Sequence, residues 1–178
     1  NVSSLPLSGA ASDVDIVPLE VTDESLLGEI YHLQITEKDI WVHHYKDKRI
    51  CRFSRSGKYL NKVGKIGQGP GEFIQLSDFF IDEGRREIYI ISASRGVFVY
   101  DFDGNFKRQP TKTIVETMFG SVFNQFMIYN NHFFILQNLP LYREIPKDSL
   151  WSLALVDSSY QKRKIFKNPV HIVSLIHI

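Results

Sequence analysis

The 178-residue chain carries a single cysteine, so neither an internal disulfide framework nor a cysteine-based zinc cluster is available to it. It has almost no charge of one sign in excess: 21 basic and 20 acidic side chains leave a net charge of +1. Such a balance offers no field for a polyanion or a strongly acidic substrate, and no nucleic-acid partner is expected. No apolar run approaches the ~18 residues of a membrane span, so no transmembrane segment is expected. Persistent helical periodicity is missing after residue 29. What is plentiful is aromatic: 13 Phe, 8 Tyr and 2 Trp within a 43% hydrophobic composition. That content excludes a disordered chain. Aromatic side chains pack well on a pleated face and favour β structure.

Residues 1–13, beginning "NVSSLPLSGAAS", are small and polar and read as a flexible leader. A start at Asn1 is compatible with an N-terminal signal already removed. "VDIVPLEV" (Val14 to Val21) alternates like a strand, with Pro18 at an edge or end position. "TDESLLGEI" has room for one helical turn capped by Thr22 or Asp23. Beyond it come short runs of period-two alternation separated by turn residues: "EIYHLQIT", "DIWVHH", "RICRFS", "YLNKVGKI", "SDFFID", "EIYIIS", "GVFVYD", "SVFNQFMIYN", "HFFILQ", "WSLALVD" and "RKIFK".

These runs repeat. Ile40-Trp41-Val42 matches Ile88-Tyr89-Ile90 at an offset of 48, and Phe53, Gly57 and Tyr59 match Tyr100, Gly104 and Phe106 at 47. A degenerate third copy places Val156 to Tyr160 opposite Phe102 to Phe106 at an offset of 54. A four-stranded unit repeating every ~40–50 residues is how propeller blades read in sequence. A β-sandwich also has evenly spaced short strands, but it does not normally reproduce one motif at a fixed offset. The expected fold is therefore all-β, with about three four-stranded antiparallel blades near residues 29–66, 76–112 and 121–168. They form one partial propeller over residues 14–178. "RSGK" and "FDGN" each put a glycine where a tight hairpin between the third and fourth strands needs positive φ.

"KVGKIGQGPGEF" packs four glycines and a proline between the last strand of one unit and the first strand of the next. A phosphate loop would need a Lys-Ser/Thr pair and a following helix, and neither follows. The better reading is a structural corner. Pro70-Gly71 would form a type II turn, Gly64, Gly67 and Gly69 would permit close backbone approach, and Phe73 would plug the seam between blades.

On these residues the chain resembles the six-bladed β-propeller proteins of Bacteroides-type bacteria, which are relatives of the NHL-repeat propellers. The matching segments are "VPLEVTDESLLGEI", "RFSRSGKYLNKVGKIGQGPGEF", "DFFID" and "EIYIISASRGVFVYDFDGNF", together about half the chain. The resemblance implies export to the periplasm or outer-membrane surface, often with a lipid anchor, and little established chemistry. Length departs from the family. Six blades of ~45 residues need ~270, and this chain offers about three plus a tail, "VHIVSLIHI". The expectation is either a truncated product or part of a ring completed by another chain. Two apolar blade faces, and the Val14–Val21 strand, would then lack neighbours. A homo-oligomer, or association with the missing blades, follows from that.

Candidate sites are few. His43 and His44 are adjacent on a strand and point to opposite faces, so a solvated pair is preferred to a shared metal. Cys51 aligns with Phe98 and reads as a small inward residue between outward Ile50 and Arg52, or the reverse; a reactive thiol is the lesser reading. Asp101 and Asp103 flank a hairpin and suit Asx-turn chemistry better than a carboxylate dyad. "KDKR" and "QKRKIFK" read as solvated edges. Topology gathers the loops between second and third strands, and the corners, at one end. That end presents His43, His44, Tyr45, Gln68, Glu72, Ser94, Arg95, Tyr142 and Arg143 as candidate ligand-binding residues. The favoured function is a non-catalytic cell-envelope binding module for a protein, peptide or glycan, with no cofactor and no metal. The alternative is a metal-dependent lyase or hydrolase at a central channel. For it the innermost strands offer only His32, Asp78 and Asp82, which is thin for a metal site.

Overall fold

The computed structural model describes residues 13–44, 48–92, 95–111, 121–129, 133–140, 153–156 and 162–166, with side chains described up to residue 110 and at 163 and 164. Residues 1–12 of the expected leader, Tyr45, Ser94, Tyr142, Arg143 and the C-terminal tail lie outside the described residues. The first sheet contains β1 (Ile30–Ile35), β2 (Asp39–His44), β3 (Ile50–Ser54) and β4 (Tyr59–Val63). The second contains β5 (Asp78–Asp82), β6 (Glu87–Ser92), β7 (Gly96–Asp101) and β8 (Phe106–Thr111). The third contains β9 (Ser121–Tyr129), β10 (Phe133–Pro140), β11 (Leu153–Val156) and β12 (Lys162–Phe166). Each is an antiparallel meander in chain order. β5 runs beside β1 and beside β9, so the first strand of each sheet meets the first strand of the next. The fold is all-β and propeller-like, an open run of four-stranded blades.

β2 and β6 are buried along their whole length, because each is an inner strand covered on both faces. The seam between the first two sheets is the larger core. Trp41, Ile50 and Val63 of the first sheet meet Phe79, Ile81, Ile88, Ile90, Phe98 and Tyr100 of the second, with Phe73 and Leu76 from the connecting corner. At one end of the seam Arg52 bonds Asp39 at 2.8 Å and the Phe102 carbonyl at 3.2 Å, and stacks over Trp41 and Phe102. Asn61 donates to the same Phe102 carbonyl at 3.0 Å. The second sheet is tied across its strands by Glu87, which receives Arg108 on both carboxylate oxygens at 2.7 Å and Lys107 at 2.6 Å.

The corner is built on glycine where geometry demands it. Gly71 has φ +74°, follows Pro70, and sits in a turn closed by the Glu72 N–H on the Gly69 carbonyl at 3.1 Å. A side chain at Gly71 would run into the Phe106 ring, 2.5 Å from the added Cβ. Gly64, at φ +105°, leaves the space that the Phe73 ring fills, at 2.8 Å from an added Cβ. Phe73 is fully buried, beside Phe98 and Tyr100. Its backbone forms a parallel bridge with Ile66.

Several expectations are corrected. Val14–Val21 forms no strand; its described residues make an extended strap, held by the Glu20 N–H on the Gly57 carbonyl at 2.8 Å and the Tyr59 N–H on Glu20 Oε2 at 2.8 Å. Residues 22–25 make a turn rather than a helical turn, with the Thr22 hydroxyl accepting from the Ser25 N–H at 3.0 Å. The far face of the first sheet is not open. Ile40, Val42, Cys51 and Phe53 are buried there beneath Leu19, Leu27 and Tyr59. The strap takes the place of a neighbouring strand. Gly57 packs on the Pro18 carbonyl and Val17, just as Gly104 packs on the Lys62 carbonyl and Val63. Ile50 and Cys51 are both fully buried, because the sheet is covered on both sides and neither face points outward. His43 and His44 are buried for the same reason, and are not a solvated pair.

Gly71→Val is expected to destabilise the fold by more than ~1 kcal/mol in denaturant titration, because a β-branched residue resists positive φ and meets the Phe106 ring. The Cys51 thiol is expected to resist alkylation in the native protein and to react once the chain is unfolded.

Candidate functional site

Antiparallel alternation puts the starts of β1, β3, β5 and β7 and the ends of β2, β4, β6 and β8 at one end of the stack. The corner also lies there, and Arg95, from the β6–β7 connection, donates to the Glu72 carbonyl at 2.9 Å. Glu72 accepts from the Gly69 N–H at 2.9 Å and from Lys65 at 2.7 Å. The Lys65 contact, then the Gly69 N–H, holds the Glu72 carboxyl below its ordinary range. Arg95 and Glu72 thus close the corner on itself. Gln68 stands exposed at its tip.

A second group gathers at the same end around a β-bulge. In the β1–β2 ladder Ile30 faces His44 and His32 faces His43, so Tyr31 is the extra residue of the bulge. Bulges re-aim side chains and recur beside active sites. Here the Tyr31 ring stands edge-on to His43, with centroids 5.5 Å apart. His32 reaches across to the second sheet, where its Nδ1 lies 2.6 Å from Asp78 Oδ1. The His32 side chain is 33% exposed and that of Asp78 only 5%. A buried carboxylate therefore holds a partly open imidazole, whose ring also packs on Phe79 at 4.7 Å. His44 points the other way, with its Nδ1 3.9 Å from where a side chain on Gly28 would begin.

His43 is buried, and its Nδ1 has no hydrogen-bond partner among the described residues. Burial, and next the neighbouring His32, push its pKa from 6.5 down to about 4, with Asp78 opposing. Glu87 is the second group held far from its usual range. Hydrogen bonds from Arg108, working against burial and joined by Lys107, lower it to about 2.

The structure therefore joins His32, His43 and Asp78 and leaves Asp82 apart. Asp82 sits at the far end of β5, accepting the Arg85 N–H at 3.0 Å in the β5–β6 turn. Among the described residues no three His, Cys, Asp or Glu side chains are placed to enclose a metal ion. Asp101 Oδ1 takes the N–H groups of Asp103 and Asn105 at 3.0 and 2.8 Å, which is Asx-turn bonding. Sequence reasoning missed Tyr31 and the His32–His43 opposition. The signal for the latter was present: Ile35 opposes Ile40 across the turn at Thr36–Asp39, and counting outward sets His32 against His43.

The sequence matches, over residues 1–173, the model of a family described as a domain of unknown function, DUF4934. The chain belongs to the DUF4934 family. A search of curated proteins gave no match. This DUF4934 chain is similar in structure to a protein of Bacteroides fragilis described as exported, with TM-score 0.68 and 20% identity over 89% of this chain and 43% of that one. It is also similar to a member of the DUF4221 family from Bacteroides vulgatus, with TM-score 0.56 and 13% identity over 84% of this chain and 46% of that one. At these identities the likeness shows the fold. The DUF4934 chain spans less than half the length of either structure. Among the described residues no helix is long and apolar enough to cross a membrane.

Between pH 6.5 and about 4 the unfolded chain binds a proton at residue 43 that the folded chain resists, so stability falls as pH drops through that window. The loss is on the order of 2 kcal/mol after solvent screening. Denaturant titrations against pH should show this slope in the native protein and lose it in His43→Gln. Glu87 acts lower: its depressed pKa gives stability that is lost as pH falls from 4.5 toward about 2.

Proposed function

We propose that this chain is part of an exported, non-catalytic binding module of the cell envelope. Its scaffold is a six-bladed, NHL-like ring, and its ligand is a protein, peptide or glycan. The observation that carries the reading is the bulge, which sets Tyr31 and His32 against His43 at the corner end of a rigid, aromatic-packed pair of sheets. Tyrosine and histidine there give a flat apolar surface with polar tips, suited to a sugar face or a peptide side chain. Gln68, with Tyr45, Tyr142 and Arg143 from the neighbouring connections, extends the ligand surface; Arg95 and Glu72 brace it. The exported Bacteroides fragilis neighbour supports a periplasmic or outer-membrane location, with a lipid anchor as the family resemblance implies.

Association belongs to the same reading. Leu33 and Ile35 are 42% and 56% exposed. Their counterparts in the second sheet, Phe79 and Ile81, are buried by the first sheet. A further four-stranded sheet, from a second copy or from missing blades, would cover Leu33 and Ile35 in the same manner.

One observation favours a second reading. The His32–Asp78 contact is the geometry of an oriented general base, and it keeps open a lyase or hydrolase acting at a central channel.

Spectral mapping of the labelled protein against envelope glycans and peptides tests the choice. Saturable shifts at Tyr31 and His32, lost in Tyr31→Ala and without turnover of the ligand, are expected. Turnover abolished by His32→Gln would replace the binding reading with the enzyme. Sedimentation at micromolar concentration is expected to show a dimer, and a monomer throughout would remove the second copy.

A further inference from the structure

We propose that His32 and His43 form a two-imidazole site for a borderline divalent cation, with Asp78 as the carboxylate behind His32. The cation class is zinc, nickel or copper(II), which imidazole suits. Directly opposed residues of an antiparallel pair share a face, with Cβ atoms ~4.5–5.5 Å apart. Two imidazoles on such a pair can converge on one ion at the ~2.0–2.1 Å of a Zn–N bond. His32 and His43 are opposed in this way on β1 and β2.

Each side chain is prepared for the task. Asp78 accepts the Nδ1–H of His32 at 2.6 Å. That bond directs the lone pair to Nε2, on a ring still one-third exposed. A carboxylate behind the imidazole is the usual support of a metal-ligating histidine, fixing its tautomer and raising its basicity. His43 offers the second donor. Its Nδ1 is buried and has no hydrogen-bond partner among the described residues, which is costly for a polar atom unless something satisfies it. The remaining coordination positions stay open to water or to an oxygen of a bound ligand. Two protein donors make the ion exchangeable, a different arrangement from an enclosed structural site. The site goes beyond the binding function proposed above and needs no catalysis.

Calorimetric titration of the metal-free protein with zinc chloride tests this directly. Saturable uptake of one ion per chain is expected. His32→Ala should abolish it, and Asp78→Asn should weaken it by ~10-fold or more. His43→Gln should abolish it too. If that variant does not fold, His32→Ala and Asp78→Asn decide, with circular dichroism confirming that both are folded. The double variant His171→Gln/His177→Gln should bind as the native chain does. No saturable uptake, uptake that survives His32→Ala, or loss in the His171/His177 variant would overturn the site. A chain that binds its glycan or peptide but takes up no zinc would overturn this site alone.

Discussion

The two sheets described in full are held in register by the seating of Phe73 between them. Its ring sits where Gly64 has no side chain and packs beside Phe98 and Tyr100. Burying such a ring contributes ~1.5–3 kcal/mol, and each aromatic contact adds up to ~1.5 kcal/mol. Geometry matters as much as energy. The corner must cross from the last strand of one sheet to the first strand of the next while delivering a ring into the seam. The Pro70-Gly71 turn, the Tyr100 hydroxyl on the Gly71 carbonyl, and Arg95 on the Glu72 carbonyl all serve that delivery. Without the ring, Trp41, Ile50 and Val63 would face a void, and cavities of that kind are penalised beyond the lost burial.

The same seam explains where polar groups are spent. Arg52 and Asp39 close one end, and His32 and Asp78 span the innermost strands near the other. Arg52 is stacked on two rings and bonded through its two terminal nitrogens to a carboxylate and a carbonyl. His32 has one nitrogen committed and a third of its side chain open. That difference separates a brace from a candidate site. The bulge at Tyr31 adds a second imidazole and a phenol beside it.

The strap at residues 14–21 shows how an open run of sheets shields an end face. Leu19 and Leu27 cover Cys51 and Phe53, and Val17-Pro18 meets Gly57 as β4 meets Gly104 in the next sheet. The chain therefore imitates a neighbouring sheet with an extended segment. The imitation stops short of β1, where Leu33 and Ile35 remain exposed.

Much of the fold was legible in the residues. Period-two alternation and a motif recurring at 47–48 residues named four-stranded units, because side-chain direction along a strand is set by covalent geometry. Gly57, Gly71 and Gly104 named the turns, because positive φ is easy only for glycine. Burial at the histidines was not legible. Two adjacent histidines on a strand look polar and solvated, and only the packing of a second sheet on one face and of the segment at Gly28 on the other decided that both are enclosed. The strap itself alternates like a strand, and whether it finds strand partners depends on which edges the tertiary structure leaves beside it. The approach of His32 to Asp78 joins residues 46 apart on different sheets. Local sequence sets the direction in which each side chain points; the distance between two sheets is set by the bulk that fills their seam.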